Sequence, residues 1–96
     1  MEKIITIPEE RTIEVQKADV ERSARRDIIV YLMEHPEINV DENRRAEYQK
    51  EYDEKYFAFE QAKSRIERDF VMPATDGKAS SWNLNYSTNE ITITLS

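Results

Sequence analysis

The chain has no cysteine among its 96 residues, so disulfides and thiolate metal sites are excluded and nothing marks a redox compartment; an intracellular setting is the default expectation. Its one histidine, His35, stands beside Pro36 with no second imidazole to share a transition metal, and reads as a cation at a helix end. A single glycine, Gly77, cannot build a phosphate-cradling loop, so nucleotide binding through a familiar motif is excluded. No cofactor or metal is expected. No apolar run approaches the roughly 20 residues that a membrane span requires. The opening MEKIITIPEE has neither an apolar h-region nor a small-residue cleavage site, so neither membrane insertion nor secretion is expected. With three prolines and one glycine the chain has few internal breaks, which calls for long elements joined by short connections.

What is present is a high charge content, 35%, beside 39% hydrophobic residues, enough to close one thin core in a single domain spanning residues 1–96. A chain of this size buries only about 60–65% of the surface its unfolded form exposes, and self-association would add to that. The net charge is −6, but the acidity is spread: residues 1–40 carry nine acids against six bases, and residues 41–71 nine against seven. Direct nucleic-acid binding, which needs a basic face to displace counterions from phosphates, is not expected.

The periodicity predicts an α+β fold: a long antiparallel helical hairpin packed with a small antiparallel β-hairpin or sheet. Ile4-Ile5-Thr6-Ile7, ended by Pro8, reads as a strand over 3–7 that is available to the sheet as a third member. Residues 9–34 read as a helix, with Ile13, Val20, Ala24, Ile28, Tyr31 and Leu32 on its apolar stripe and Glu9 and Glu10 at the positive end of its dipole. The alternation Thr12-Ile13-Glu14-Val15 also suits a strand, so residues 9–16 stay open between helix and strand. After His35-Pro36, either Asn39 with Glu42 in a capping box or Asp41 starts a second helix over 41–71. Its stripe is regular: Tyr48, Tyr52, Tyr56, Phe59, Ala62, Ile66, Phe70. A loop over 74–81 follows, and then the period changes to two, giving a β-hairpin over 82–86 and 91–95 around a turn at Ser87–Glu90.

Candidate chemistry is sparse. Many carboxylates have a base four residues away, among them Glu21 with Arg25, Glu51 with Lys55 and Arg65 with Asp69, pairs that keep a helix solvated and contribute a few tenths of a kcal/mol each. An acid/base dyad needs burial to drive two pKa values apart, and no pattern signals it, so catalysis is not expected. Arg22, Arg25 and Arg26, with Arg44 and Arg45, form the one basic cluster and read first as a salt-linked face. Trp82 reads as a seal between hairpin and helices.

Protein-binding surfaces are the remaining class. The phenols of Tyr48, Tyr52 and Tyr56 need water or partners, which favours a half-exposed contact stripe. The closing strand, with Ile91, Ile93 and Leu95, offers strand addition to a partner or a second copy if it lies at the sheet edge. An alternative acidic face is drawn from Glu47, Glu51, Asp53 and Glu54.

In the order of ARRDIIVYLM, EYQKEYDEKYFAFEQAKSRIE and a closing WNLNYSTNEITI hairpin, the chain resembles small accessory proteins of tailed bacteriophages. The resemblance covers most of the chain and implies a phage origin and a protein-binding role, in the host cytoplasm or the virion, with no catalytic residue carried over. The first expectation is a virion structural or assembly protein that self-associates or docks on a larger particle component. The alternative is an anti-CRISPR-like inhibitor that meets a host nuclease complex through the acidic face.

Overall fold

The structure is a computed structural model that describes residues 1–78 and 80–95. Strand β1 (Glu2–Thr6) leads through Pro8 into helix α1 (Glu9–Glu34), and helix α2 (Glu42–Ile66) folds back along it. One turn of π-helix (Glu67–Val71) and a last short turn α3 (Met72–Thr75) carry the chain to β2 (Ser80–Asn85) and β3 (Glu90–Leu95). This is the expected α+β hairpin-and-sheet fold, and residues 9–16 are helical.

Local chemistry accounts for most boundaries. Pro8 cannot continue a strand ladder but sets up the entry to α1, where Glu9 and Glu10 face the unpaired N–H groups. Asp41 caps α2 through its carboxylate, which accepts from the Arg44 N–H at 2.8 Å, so the Asn39 box is not the one used. Regular α-helix in α2 ends at Ile66, short of the expected 71, but the winding continues through the π-helical turn and α3 to Thr75. Pro73 has no N–H to donate four residues back, and the preceding turn widens so that Met72 N–H reaches the Glu67 carbonyl. The winding stops where Asp76 and Gly77 both take left-handed φ, 53° and 75°, with Gly77 N–H donating to the Met72 carbonyl at 3.0 Å. The expected loop over 74–81 therefore loses its first two residues to α3 and its last two to β2; Ala79 within it lies outside the described residues.

The sheet order is β1-β3-β2, both pairs antiparallel, with Ile5 opposite Ile91 and Trp82 opposite Ile93. The closing strand is thus central rather than at an edge. Ile91 and Ile93 are 0% exposed and form the middle of the core, with Leu95 partly buried beside them, so they are not available for strand addition. The physical reason is that β1 pairs along the whole of β3, which buries Ile5 and Ile7 at the same time.

The core contains Ile7, Val15, Ala62, Ile66, Val71, Ile91 and Ile93, closed over by Phe59, Phe70, Trp82, Leu84 and Tyr86. All of it sits at the sheet end of the helical hairpin. Between residues 16 and 61 no described residue is buried, so some 28 Å of α1 beyond Val15, at 1.5 Å per residue, projects with α2 as an arm. The overall extents, 51 × 27 × 18 Å, reflect that arm.

Truncation should separate the two ends. Ile93→Ala is expected to lower the unfolding free energy by about 2–5 kcal/mol, as a cavity in a packed core does, whereas Val20→Ala on the arm should change it by no more than about 0.5 kcal/mol. Urea unfolding followed by far-UV circular dichroism makes the comparison.

Candidate protein-interaction site

The arm is held by its seam. Ion pairs run across it from base to tip: Arg11 to Asp69 at 3.1 Å, Arg65 to Glu14, Lys55 to Glu21 at 3.3 Å and Arg25 to Glu51 at 3.5 Å. Glu21, Arg25, Glu51 and Lys55 were expected to pair along their own helices; instead each finds its partner on the opposite helix. Such half-exposed pairs contribute about 0–1 kcal/mol each, so their main effect is to fix which turn of α1 lies beside which turn of α2.

Between the ion pairs the seam is mixed. Arg22 does not belong to an outward basic cluster: its guanidinium lies 4.7 Å from the Phe59 ring centre, and it pairs with Asp19 one turn back. The Tyr86 hydroxyl, reaching over from beyond β2, donates to the other oxygen of Asp19 at 3.1 Å. Burial raises the Asp19 pKa, but the hydrogen bonds from Arg22 and Tyr86 and the charges of Arg22 and Arg26 outweigh it, and the carboxyl ends below its ordinary value. Burial, followed by the bond to Asp19, pushes Tyr86 up to about 12. This network ties the root of the arm to the sheet.

The expected tyrosine stripe is only partly outward. Tyr48 is half-buried beside a cleft of about 180 Å³ at the arm's tip, lined by Ile29, Leu32, Met33, Arg45 and Gln49 as well. Tyr52 is half-buried with its ring centre 6.0 Å from that of Tyr56, and Tyr56 alone of the three is exposed. The four acids of the alternative face, Glu47, Glu51, Asp53 and Glu54, are all exposed on α2, but Lys50 lies among them and Glu51 turns to the seam to pair with Arg25.

The surface that sequence reasoning missed is on α1. Of the stripe expected to pack, Leu32 is half-buried as expected, whereas Ile13, Val20, Ala24, Ile28 and Tyr31 are turned to solvent, with Val20 62% and Tyr31 54% exposed. The packed face is the neighbouring row of Thr12, Val15, Asp19, Arg22, Ile29 and Leu32, in which only half the side chains are apolar. The available signal was the charge register: Glu14, Glu21 and Arg25 face Arg65, Lys55 and Glu51 if the helices are laid antiparallel. On the opposite side of the arm Phe57 is 64% exposed beside Ala46, Gln49, Lys50, Asp53 and Glu54. Singly exposed apolar residues are ordinary; here Ile13, Val20, Ala24, Ile28 and Tyr31 are exposed on one helix, with Gln16 and Lys17 between the first two.

His35 donates from Nδ1 to the Glu37 carboxylate at 3.0 Å, and its ring lies tilted against that of Tyr31, centre to centre 4.2 Å. No group of three metal-ligating side chains occurs among the described residues. No helix there is long and apolar enough to cross a membrane. Comparisons with protein-family models, with curated proteins and with solved structures return no match for the chain.

The Tyr86–Asp19 bond has a measurable pH signature. With its folded pKa near 12, above the ordinary value of about 10, Tyr86 contributes stability that is complete below about pH 10 and lost as pH rises through about 12. Ultraviolet titration of wild type against Tyr86→Phe should show one phenol ionising near 12 in the wild type only; a wild-type phenol set titrating wholly near 10 would contradict the network.

Proposed function

We propose that the protein is a non-catalytic protein-binding module whose helical arm docks on another protein through the outer row of α1. The observation that supports this is the combination of an arm with no buried residue between 16 and 61 and an exposed row of Ile13, Val20, Ala24, Ile28 and Tyr31 along it. Covering that row would remove apolar area from water at about 25 cal/mol per Å² and would give the arm the third layer that a two-helix hairpin lacks. The setting is that of a phage accessory protein which docks on a larger particle component, as the sequence resemblance implies.

A second reading keeps Glu47, Glu51, Asp53 and Glu54 as a contact for a basic channel on a nuclease complex, supported by the exposure of all four on α2. The two differ in chemistry. Apolar docking tolerates salt, whereas a carboxylate-led contact weakens steeply as ionic strength rises.

The test is affinity capture from producing cells with wild type, Val20→Glu and the pair Glu47→Lys/Glu54→Lys, each first shown to keep its far-UV spectrum. Capture of particle components that persists in high salt and is lost only with Val20→Glu is the expected result. Equal capture by wild type and Val20→Glu would reject the α1 surface, and salt-sensitive loss with the double variant would favour the second reading.

A further inference from the structure

The two edges of the sheet are not alike. On the β1 edge the strand carries Glu2 and Lys3, and Lys3 folds inward to donate from Nζ to the Ala74 carbonyl at 3.1 Å, so a charge and a covering side chain discourage further pairing there. The β2 edge, Ser80–Asn85, has no charge and no proline. Hydrogen bonds of Ile7 N–H to the Asn89 carbonyl and of Leu95 N–H to the Met1 carbonyl show that odd-numbered residues of β3 bond toward β1. By the alternation of an antiparallel ladder, its even-numbered residues bond toward β2, reaching Ser81, Asn83 and Asn85. The backbone groups of Trp82 and Leu84 therefore point away from the sheet.

Alongside those open groups runs a cleft of about 190 Å³ between the strand and the helices, lined by Val15, Phe59, Lys63, Trp82, Leu84 and Tyr86 among others. An incoming strand would thus meet both free ladder positions and a partly apolar trough for the side chains on its helix-facing side, the arrangement used in strand addition.

We infer that the β2 edge is a dimerisation site and that its occupant is the β2 strand of a second copy of this chain. The edge is complementary to itself. In a two-fold antiparallel register centred on Asn83, Trp82 of one copy lies opposite Leu84 of the other, the two open residues meet the two open residues, and about four backbone hydrogen bonds form. Like charges never face one another across that register, because β2 has none. Trp82 and Leu84 of each copy enter the trough of the other, while Asn83 meets Asn83 on the solvent side. The pairing is isologous and leaves the guarded β1 strands at the two outer edges of a six-stranded sheet, so it closes at two copies and does not propagate into a fibre. This site is separate from the α1 row and does not require it.

Because the chain has no cysteine, Asn83→Cys places one thiol per copy directly on the proposed axis. Opposed residues at a non-hydrogen-bonded position lie about 4.5 Å apart at Cα, inside the range a disulfide bridges. The expected result is a wild-type dimer by sedimentation equilibrium, near-complete disulfide dimer from Asn83→Cys on mild oxidation, and little from Thr94→Cys on the central strand. Asn83→Lys should weaken the dimer several-fold with an unchanged far-UV spectrum, and mixing it with Asn83→Glu should restore association. A wild type that stays monomeric at the highest attainable concentration would overturn the inference. So would a dimer that Val20→Glu dissociates and Asn83→Cys fails to cross-link, which would move self-association to the arm.

Discussion

The apolar core is confined to one end of a helical hairpin much longer than that core, and the rest of the molecule depends on this mismatch. The central strand β3 supplies Ile91 and Ile93; β1, the first turns of α1 and the stretch from Ala62 to Val71 close around them. Ninety-six residues have too little apolar area to continue that layer along 26 residues of α1 and 25 of α2. Beyond Val15 the helices are therefore joined by a seam of half-buried polar and apolar side chains, with Arg22 over Phe59 and ion pairs setting the register.

That construction has a direct bearing on binding. A seam whose pairs each contribute at most about 1 kcal/mol specifies alignment without much strength, so the proposed docking would stabilise the arm more than it would a conventionally packed hairpin. On α1, Ile13, Val20, Ala24, Ile28 and Tyr31 face outward, while the inner row mixes Val15, Ile29 and Leu32 with Asp19 and Arg22. The sheet end is the opposite case: well packed inside, guarded at β1 by Lys3 and open at β2. Arm and open edge lie on different parts of the molecule and would serve different partners, one of them a second copy.

Much of the architecture is legible in the residues. Pro8, Asp41 and the pair Asp76-Gly77 act locally, and the change from a 3.6-residue to a two-residue period needs no tertiary context, so the bounds of α1 and the β-hairpin could be read to within about two residues. Facing and strand order could not. On α1 apolar residues occupy two adjacent rows, and hydropathy favours Val20, Ala24 and Ile28 over the row containing Asp19 and Arg22; only the positions of the opposing charges on α2 decide between them. The central place of β3 depends on pairing Glu2–Thr6 with Glu90–Leu95 across nearly the whole chain, which no local pattern encodes. Hence the closing isoleucines are core and most of the α1 row assigned to packing is the candidate surface, while the tyrosines are half-buried at Tyr48 and Tyr52 and exposed at Tyr56.

Residue-resolved amide hydrogen exchange under native conditions tests the one-ended core most directly. Amides of β3 and of residues 62–71 are expected to exchange only through global unfolding, and those of the arm between about 20 and 58 through much smaller openings, with protection falling toward the tip. Uniform, global-level protection along both helices to the turn at His35 would contradict a core confined to the sheet end.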